Sequence, residues 1–215
     1  GVVILFDKQI IQPRTLFALT TGNYEGEEAK IGLEKIEPSD SVLELGAGIG
    51  YMSSLLKSKF SEIPLVCFEA NPTIFEHAQK NHFRNNVQVK MINAVLGLTR
   101  GTVDFYLNPV FTGSSLISFE GAERKITVEQ YPVNDVLQKY KPNFVIMDIE
   151  GGEKDLIPAM NWNGINKLLV ELHPNHMSNR EYSAILQALL NEGFIMDMST
   201  AKNQVFYFYK PNPTD

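Results

Sequence analysis

Val42-Leu43-Glu44-Leu45-Gly46-Ala47-Gly48-Ile49-Gly50-Tyr51 is a short apolar run that passes straight into three alternating glycines and then into a helical pattern. Four residues rich in Val and Leu read as a strand buried on both faces. Gly46, Gly48 and Gly50, with Ala47 between them, let the backbone turn sharply and let a ligand approach where a Cβ would otherwise stand. Strand, glycine turn and helix in that order open a nucleotide-binding α/β unit. The dinucleotide fingerprint G-x-G-x-x-G needs its third glycine at position 51, where Tyr51 stands. Glu44 would also carry negative charge towards a pyrophosphate, whereas a ligand with a sulfonium and an amino-acid tip tolerates or favours that acid. These residues are expected to hold such a ligand.

Downstream, Leu65-Val66-Cys67-Phe68-Glu69 is a second strand ending in an acid about twenty residues beyond the glycines, with Ala70 next to it. A carboxylate there can accept both ribose hydroxyls of an adenosine. A third strand closes at Met91-Ile92-Asn93-Ala94-Val95. Asn93 and the Ala94 amide either hold the adenine edge or simply end the strand.

The alternation continues along the chain. Strand-like runs end at Leu45, Phe68, Ile92, Met147 and Val170, and helical patterns cover 51–60, 72–85, 153–160 and 179–191. Asn71-Pro72 has the form of an N-cap followed by proline at the first helical position. Such alternation predicts an α/β fold, a mostly parallel sheet with helices on both faces. Thr102 to Glu129 breaks the rhythm and reads as an antiparallel excursion or flap. Gly193 to Met198 and Gln204 to Tyr209 read as a closing antiparallel hairpin. No linker divides the chain, so residues 1–215 are expected to form a single domain. Residues 1–40 would be an N-terminal cap segment and 102–130 an inserted strand and loop region. Val2 to Thr21 is expected to form a helix that caps the site or pairs with a second subunit.

Composition excludes several classes. The 25 acidic residues outnumber the 19 basic ones, a formal charge of -6, and no basic patch offers itself to a phosphate backbone, so nucleic acid is not an expected partner. No apolar stretch is long enough for a membrane span. Cys67, the one cysteine, lies inside an apolar run and reads as a buried thiol. The opening residues do not form a secretory leader, and Gly1 in place of Met points to trimming. The expectation is a cytoplasmic soluble protein.

Two more runs complete the pattern: Val145-Ile146-Met147-Asp148-Ile149-Glu150-Gly151-Gly152-Glu153, and about twenty residues on Leu169-Val170-Glu171-Leu172-His173. With the glycine turn, Phe68-Glu69-Ala70-Asn71-Pro72 and Gly22-Asn23-Tyr24-Glu25, they make the chain resemble the FkbM family of methyltransferases, usually regarded as O-methyltransferases. The D-x-E-G-x-E run and its E-x-H partner are the most distinguishing part, since class I methyltransferases share the glycine turn. The chain departs from the family's usual Asp-x-Gly-Ala-Asn at Glu44 to Gly48, and Ile146 replaces a frequent lysine. The resemblance implies a Rossmann-like class I methyltransferase fold with a seven-stranded sheet, and S-adenosylmethionine as cofactor. It also implies that Tyr24 and Glu25 fold over that cofactor, Glu25 near its amino group.

Methyl transfer to an alcohol needs an acceptor held close and in line, and a base for its proton. Asp148 ends the fourth strand at the rim where open α/β sheets bind ligands, with Glu150 two residues on, so both are candidate catalytic groups. Acids so close repel one another, which raises a pKa or recruits a cation. His173, after the fifth strand, is a candidate base, and Asp148 also borders the cofactor. Glu153 reads equally as an N-terminal helix acid. Asp148, Glu150 and Glu171 offer oxygen ligands, so a divalent metal is conceivable, but their spacing does not demand one. His77 and His82 fall on the 72–85 helix and are expected in solvent. Ser114 and Ser115 either line an acceptor pocket or are solvated loop residues. The expected activity is methylation of a hydroxyl on a small molecule or sugar. The alternatives are a non-catalytic cofactor-binding relative and a nicotinamide-dependent oxidoreductase.

Overall fold

The computed structural model describes residues 1–107 and 124–211; Ser114 and Ser115 lie outside them. The first strands are β1 (Val42–Leu45), β2 (Leu65–Glu69), β3 (Lys90–Asn93), β4 (Val95–Gly97) and β5 (Gly101–Leu107). They are followed by β6 (Arg124–Pro132), β7 (Phe144–Met147), β8 (Lys167–Glu171), β9 (Ile195–Met196) and β10 (Val205–Tyr209). The α-helices are α1 (Pro13–Thr21), α2 (Gly26–Lys35), α3 (Tyr51–Lys59), α4 (Pro72–Arg84), α5 (Val133–Tyr140), α6 (Glu153–Leu156) and α7 (Asn179–Asn191).

Seven strands form one sheet in the order β3-β2-β1-β7-β8-β10-β9. Neighbours are parallel except around β10, which is antiparallel to both β8 and β9. The predicted α/β architecture and its closing hairpin are therefore found. The central strands are buried on both faces, which explains why β7 is apolar throughout and β1 apolar but for Glu44 instead of alternating. Leu43, Leu45, Phe68, Val145, Met147 and Val170 pack on the side of α5 and α7. Val42, Leu65, Cys67, Phe144, Ile146 and Leu169 pack on the side of α2 and α3.

Register sets the site. Leu45 pairs with both Phe68 and Met147, and Met147 with Val170, so β1, β2, β7 and β8 finish nearly level. Gly46, Glu69, Asp148 and Glu171, the residues at those ends, are thereby gathered at one edge of the sheet. The amide of Asp148 donates to Leu45 O at 2.9 Å, and that of Gly46 to Phe68 O at 3.0 Å.

The excursion is a separate three-stranded sheet, β4-β6-β5, with β5 and β6 antiparallel. Asn71 caps α4 as expected, accepting from the Thr73 amide at 3.0 Å. The helix expected over 153–160 is shorter: α6 stops at Leu156 and continues as a 3-10 turn over Ile157–Ala159, where Pro158 has no N–H to donate. Ahead of α1 the chain is not helical. Its Val3 and Leu5 amides donate to Asn85 Oδ1 at 2.8 Å and Asn81 Oδ1 at 2.9 Å, so it lies along α4. This contact corrects the placement of His77 and His82, which are 3% and 4% exposed instead of solvated.

Candidate active site

A cavity of about 1040 Å³ opens over the level strand ends. One side is the glycine turn. Gly46, Gly48 and Gly50 all have left-handed backbones, with φ of 83°, 52° and 76°. Gly48 faces the cavity, and its amide donates to Glu69 Oε2 at 2.9 Å while Asn71 N donates to Oε1 at 2.8 Å. Burial pushes the Glu69 carboxyl up to about 7, against the pull of those amides. Tyr24 and Glu25 lie over the turn: a Cβ on Gly48 would come within 3.7 Å of Tyr24 Oη and 3.9 Å of Glu25 Oε1. Tyr51 packs edge-on against Tyr24, the ring centroids 5.5 Å apart. The residue that breaks the dinucleotide fingerprint is thus the one that props Tyr24 over the turn. Burial raises both the Tyr24 and the Glu25 pKa.

Not every residue of the glycine motif reaches the cavity. Glu44 points to the opposite face of β1, where its Oε2 accepts from Cys67 Sγ at 2.8 Å; the side chain is buried and its pKa is pushed up to about 7 by that burial. Ala47 packs in the core beside Met52 and Leu56. Gly50 backs onto α4, where a Cβ would come within 2.8 Å of His82 Nε2, and Ser53 Oγ shares a 2.8 Å hydrogen bond with that nitrogen. Burial pushes His82 down to about 4. Asn93 acts within the scaffold, donating to the carbonyls of Glu69 at 2.8 Å and Ala70 at 3.0 Å. Ala70 and Ala94 line the cavity.

The other side of the cavity holds a histidine ringed by acids. His173 Nδ1 is 2.9 Å from Glu153 Oε1. Its Nε2 is 3.4 Å from Glu150 Oε2, 3.5 Å from Asp148 Oδ1 and 4.0 Å from Glu171 Oε1. Burial alone would hold the imidazole pKa down, but the Glu153 hydrogen bond and the charges of Asp148, Glu153 and Glu150 outweigh it and push it up to about 9. Burial, reinforced by neighbouring carboxylates, pushes Asp148 to about 8 and Glu171 to about 8; burial also takes Glu150 to about 7. Asp148, Glu150 and His173 each present a ligand atom, all within 4.8 Å of one another.

The predicted trio of Asp148, Glu150 and His173 is therefore brought together in the same cavity as Gly46, Gly48 and Glu69. Sequence reasoning missed the opposite wall, made by Leu96, Gly97, Leu98, Phe105 and Gln130 of the small sheet and its turn. It also missed Glu28 of α2 and Arg14 of α1. Their contribution depends on long-range packing, for which the sequence carries no local signal.

Residues 44–196 match the family described as the Methyltransferase FkbM domain. Hexuronic acid methyltransferase AglP of Haloferax volcanii is 26% identical over 152 residues, 69% of this chain and 62% of that protein. Methyltransferase 1 of Beauveria bassiana is 23% identical over 163 residues, 63% of this chain and 66% of that protein. The matched region thus spans under two thirds of these relatives. Among solved structures, methyltransferase FkbM from Methylobacillus flagellatus has a TM-score of 0.54 at 14% identity, covering 94% of this chain and 56% of that one. The precorrin-6y C5,15-methyltransferase of Geobacter metallireducens gives 0.53 at 11%, covering 96% and 94%. Both share the class I methyltransferase fold with this chain.

Proposed function

This chain belongs to the FkbM methyltransferase family, and we propose that it transfers the methyl group of S-adenosylmethionine to a hydroxyl of a small molecule or sugar. The observation that carries the proposal is one cavity shared by the Gly48–Glu69 cradle and the His173 cluster.

The residues fit the cofactor. Gly46, Gly48, Ala70 and Ala94 line the cavity with little or no side chain, leaving room for a nucleoside against the backbone. Glu69 is placed to accept ribose hydroxyls, and Glu25, beneath Tyr24, suits a positively charged amino group. When bound, S-adenosylmethionine supplies a methyl carbon activated by its sulfonium. The chain's own part is to orient the acceptor and receive its proton. His173 Nε2 is the most basic atom of the cluster, and a hydroxyl proton would come to rest there once the imidazole is neutral. Asp148 and Glu150 flank that atom and are placed to hold the acceptor hydroxyl by hydrogen bonds.

Hexuronic acids are the first acceptors to try, by the name of the archaeal relative. The acidic rim and overall charge support a small-molecule acceptor over nucleic acid. None of the described helices is long and apolar enough to cross a membrane, and we propose a single-domain protein that works in the cytoplasm. Asp148, Glu150 and His173 would accept a divalent cation, but the proposed chemistry does not depend on one.

Calorimetric titration with S-adenosylhomocysteine, NAD and a Glu69→Ala variant tests the cofactor assignment. Binding of the nucleoside, its loss in the variant and no response to NAD are expected. A folded protein that binds NAD instead favours the oxidoreductase reading, and one that binds neither overturns the proposal. Release of S-adenosylhomocysteine in the presence of uronates and neutral sugars, with and without a chelator, then tests turnover. Binding without release from any acceptor would leave only a cofactor-binding relative.

A further inference from the structure

We infer that Glu153 is a positioning residue, holding the His173 ring by Nδ1 so that Nε2 faces the cavity among Asp148, Glu150 and Glu171. Its importance for turnover rests on the methyl-transfer reading; its hold on the ring does not.

Glu153 opens α6, a helix of only four residues whose dipole is small, and its side chain is 0% exposed. A surface acid serving a helix terminus would stay in solvent. Glu153 instead places Oε1 2.9 Å from His173 Nδ1, and the same oxygen lies 3.4 Å from the Ile149 amide. Oε2 has no hydrogen-bond partner among the described residues, so the imidazole is the main group that offsets burial of this carboxylate. The chain bends to bring them together: Glu150 and Gly151 are successive left-handed residues, with φ of 54° and 101°, directly ahead of Gly152 and Glu153. A carboxylate that accepts from Nδ1–H fixes the neutral tautomer, leaving the Nε2 lone pair for an incoming proton. The titratable groups facing this ring are Asp148 and Glu150 from the β7 loop, Glu153 from α6, Glu171 from β8, Glu28 from α2 and, at 6.3 Å between ring centroids, His176.

Substituting Glu153→Gln keeps the shape but presents an amide N–H₂ that can donate to Nδ1, moving the ring proton to Nε2. The expected result is a fall in kcat of roughly a hundredfold or more with S-adenosylhomocysteine affinity unchanged, in the range of lost general-base catalysis. Nitrogen-15 NMR of the imidazole should show Nδ1 protonated in the wild-type neutral ring. It should show a lower His173 titration midpoint in Glu153→Gln, and a partial return towards wild type in Glu153→Asp. A variant with unaltered His173 titration and unaltered kcat overturns the inference. So does a wild-type ring with Nδ1 unprotonated, a measurement that stands even if the variants do not fold. Because the NMR readout needs no turnover, a wild-type protein that fails to methylate anything would sink the methyl-transfer reading separately.

Discussion

The carbonyl oxygen of Asp148 fills the space that a side chain at Gly46 would need. A Cβ built on Gly46 would lie 1.6 Å from that oxygen, and Gly46 has a φ of 83°. The cofactor side and the catalytic side of the cavity therefore meet backbone to backbone, with no tolerance between them. Gly46→Ala should destabilise the fold by more than about 3 kcal/mol, since both the backbone conformation and the contact are lost. Urea denaturation would check this, and a loss under about 1 kcal/mol would mean that the strand ends can separate freely.

Glu44 lies inside β1 and Glu69 ends the neighbouring β2, and the two acids face different environments. Glu69→Gln should weaken S-adenosylhomocysteine binding about tenfold or more, the scale of one hydrogen bond to a charged group. Glu44→Gln should leave that affinity unchanged, because Glu44 bonds Cys67 behind the sheet. Equal losses in parallel titrations would place Glu44 at the cofactor after all.

Stability should fall between pH 6.5 and 9. Asp148 and Glu171 titrate near 8 in the fold and His173 near 9, all above their ordinary values. An acid with a raised folded pKa keeps its proton in the native state after the unfolded chain has released it, so stability declines as pH climbs towards that pKa. A raised histidine contributes stability that is complete below its unfolded pKa and disappears through its folded one, the same direction. His82, held near 4, acts the other way but only below about 6.5, where the unfolded imidazole gains a proton the native one refuses. The melting temperature should thus be lower at pH 9 than at 6.5. Asp148→Asn should flatten that slope and melt higher than wild type at pH 9 while losing turnover, a stability gain at the expense of function. A melting temperature that rises with pH would contradict the assignment.

Asn81 ties three parts together, accepting from Leu5 N at 2.9 Å and donating to Ile49 O at 2.8 Å from α4. Asn81→Ala should free the leading segment and leave the Ile49 carbonyl, inside the glycine turn, without that donor. A cost of about 1–3 kcal/mol is expected, with faster amide exchange at Val3 and Leu5. Unchanged exchange at those amides would show that the Asn85 bonds to Val3 and the apolar contacts hold the segment without Asn81.

What could be read from the chain beforehand was whatever depends on neighbours in sequence. The β1 turn, the Asn71-Pro72 cap and the strand-end acids Glu69 and Asp148 are local, and each lies where its motif puts it. Glu44 shows the limit: on a strand covered on both faces, burial does not alternate, so nothing in the residue pattern tells which face an acid takes. His82 was illegible for a different reason. Its burial depends on α3 and on a leading segment some eighty positions away, joined to α4 by hydrogen bonds that no periodicity encodes.

The small β4-β6-β5 sheet occupies the connection from β3, an edge strand, to α5 and the central β7. It sets Phe105 and Val128 against Ala70, and Leu96, Gly97 and Gln130 along the far wall of the cavity. Both of its chain ends return to the main sheet at points already fixed by the β1, β2 and β7 pairings. Changes in its cavity-facing residues would therefore reshape that wall while the central register stays set by the main-sheet pairings, although Leu96 also packs in the main core. The cavity is thus walled on opposite sides by two separate stretches of the chain, the strand ends that carry the register and a detour that takes no part in it.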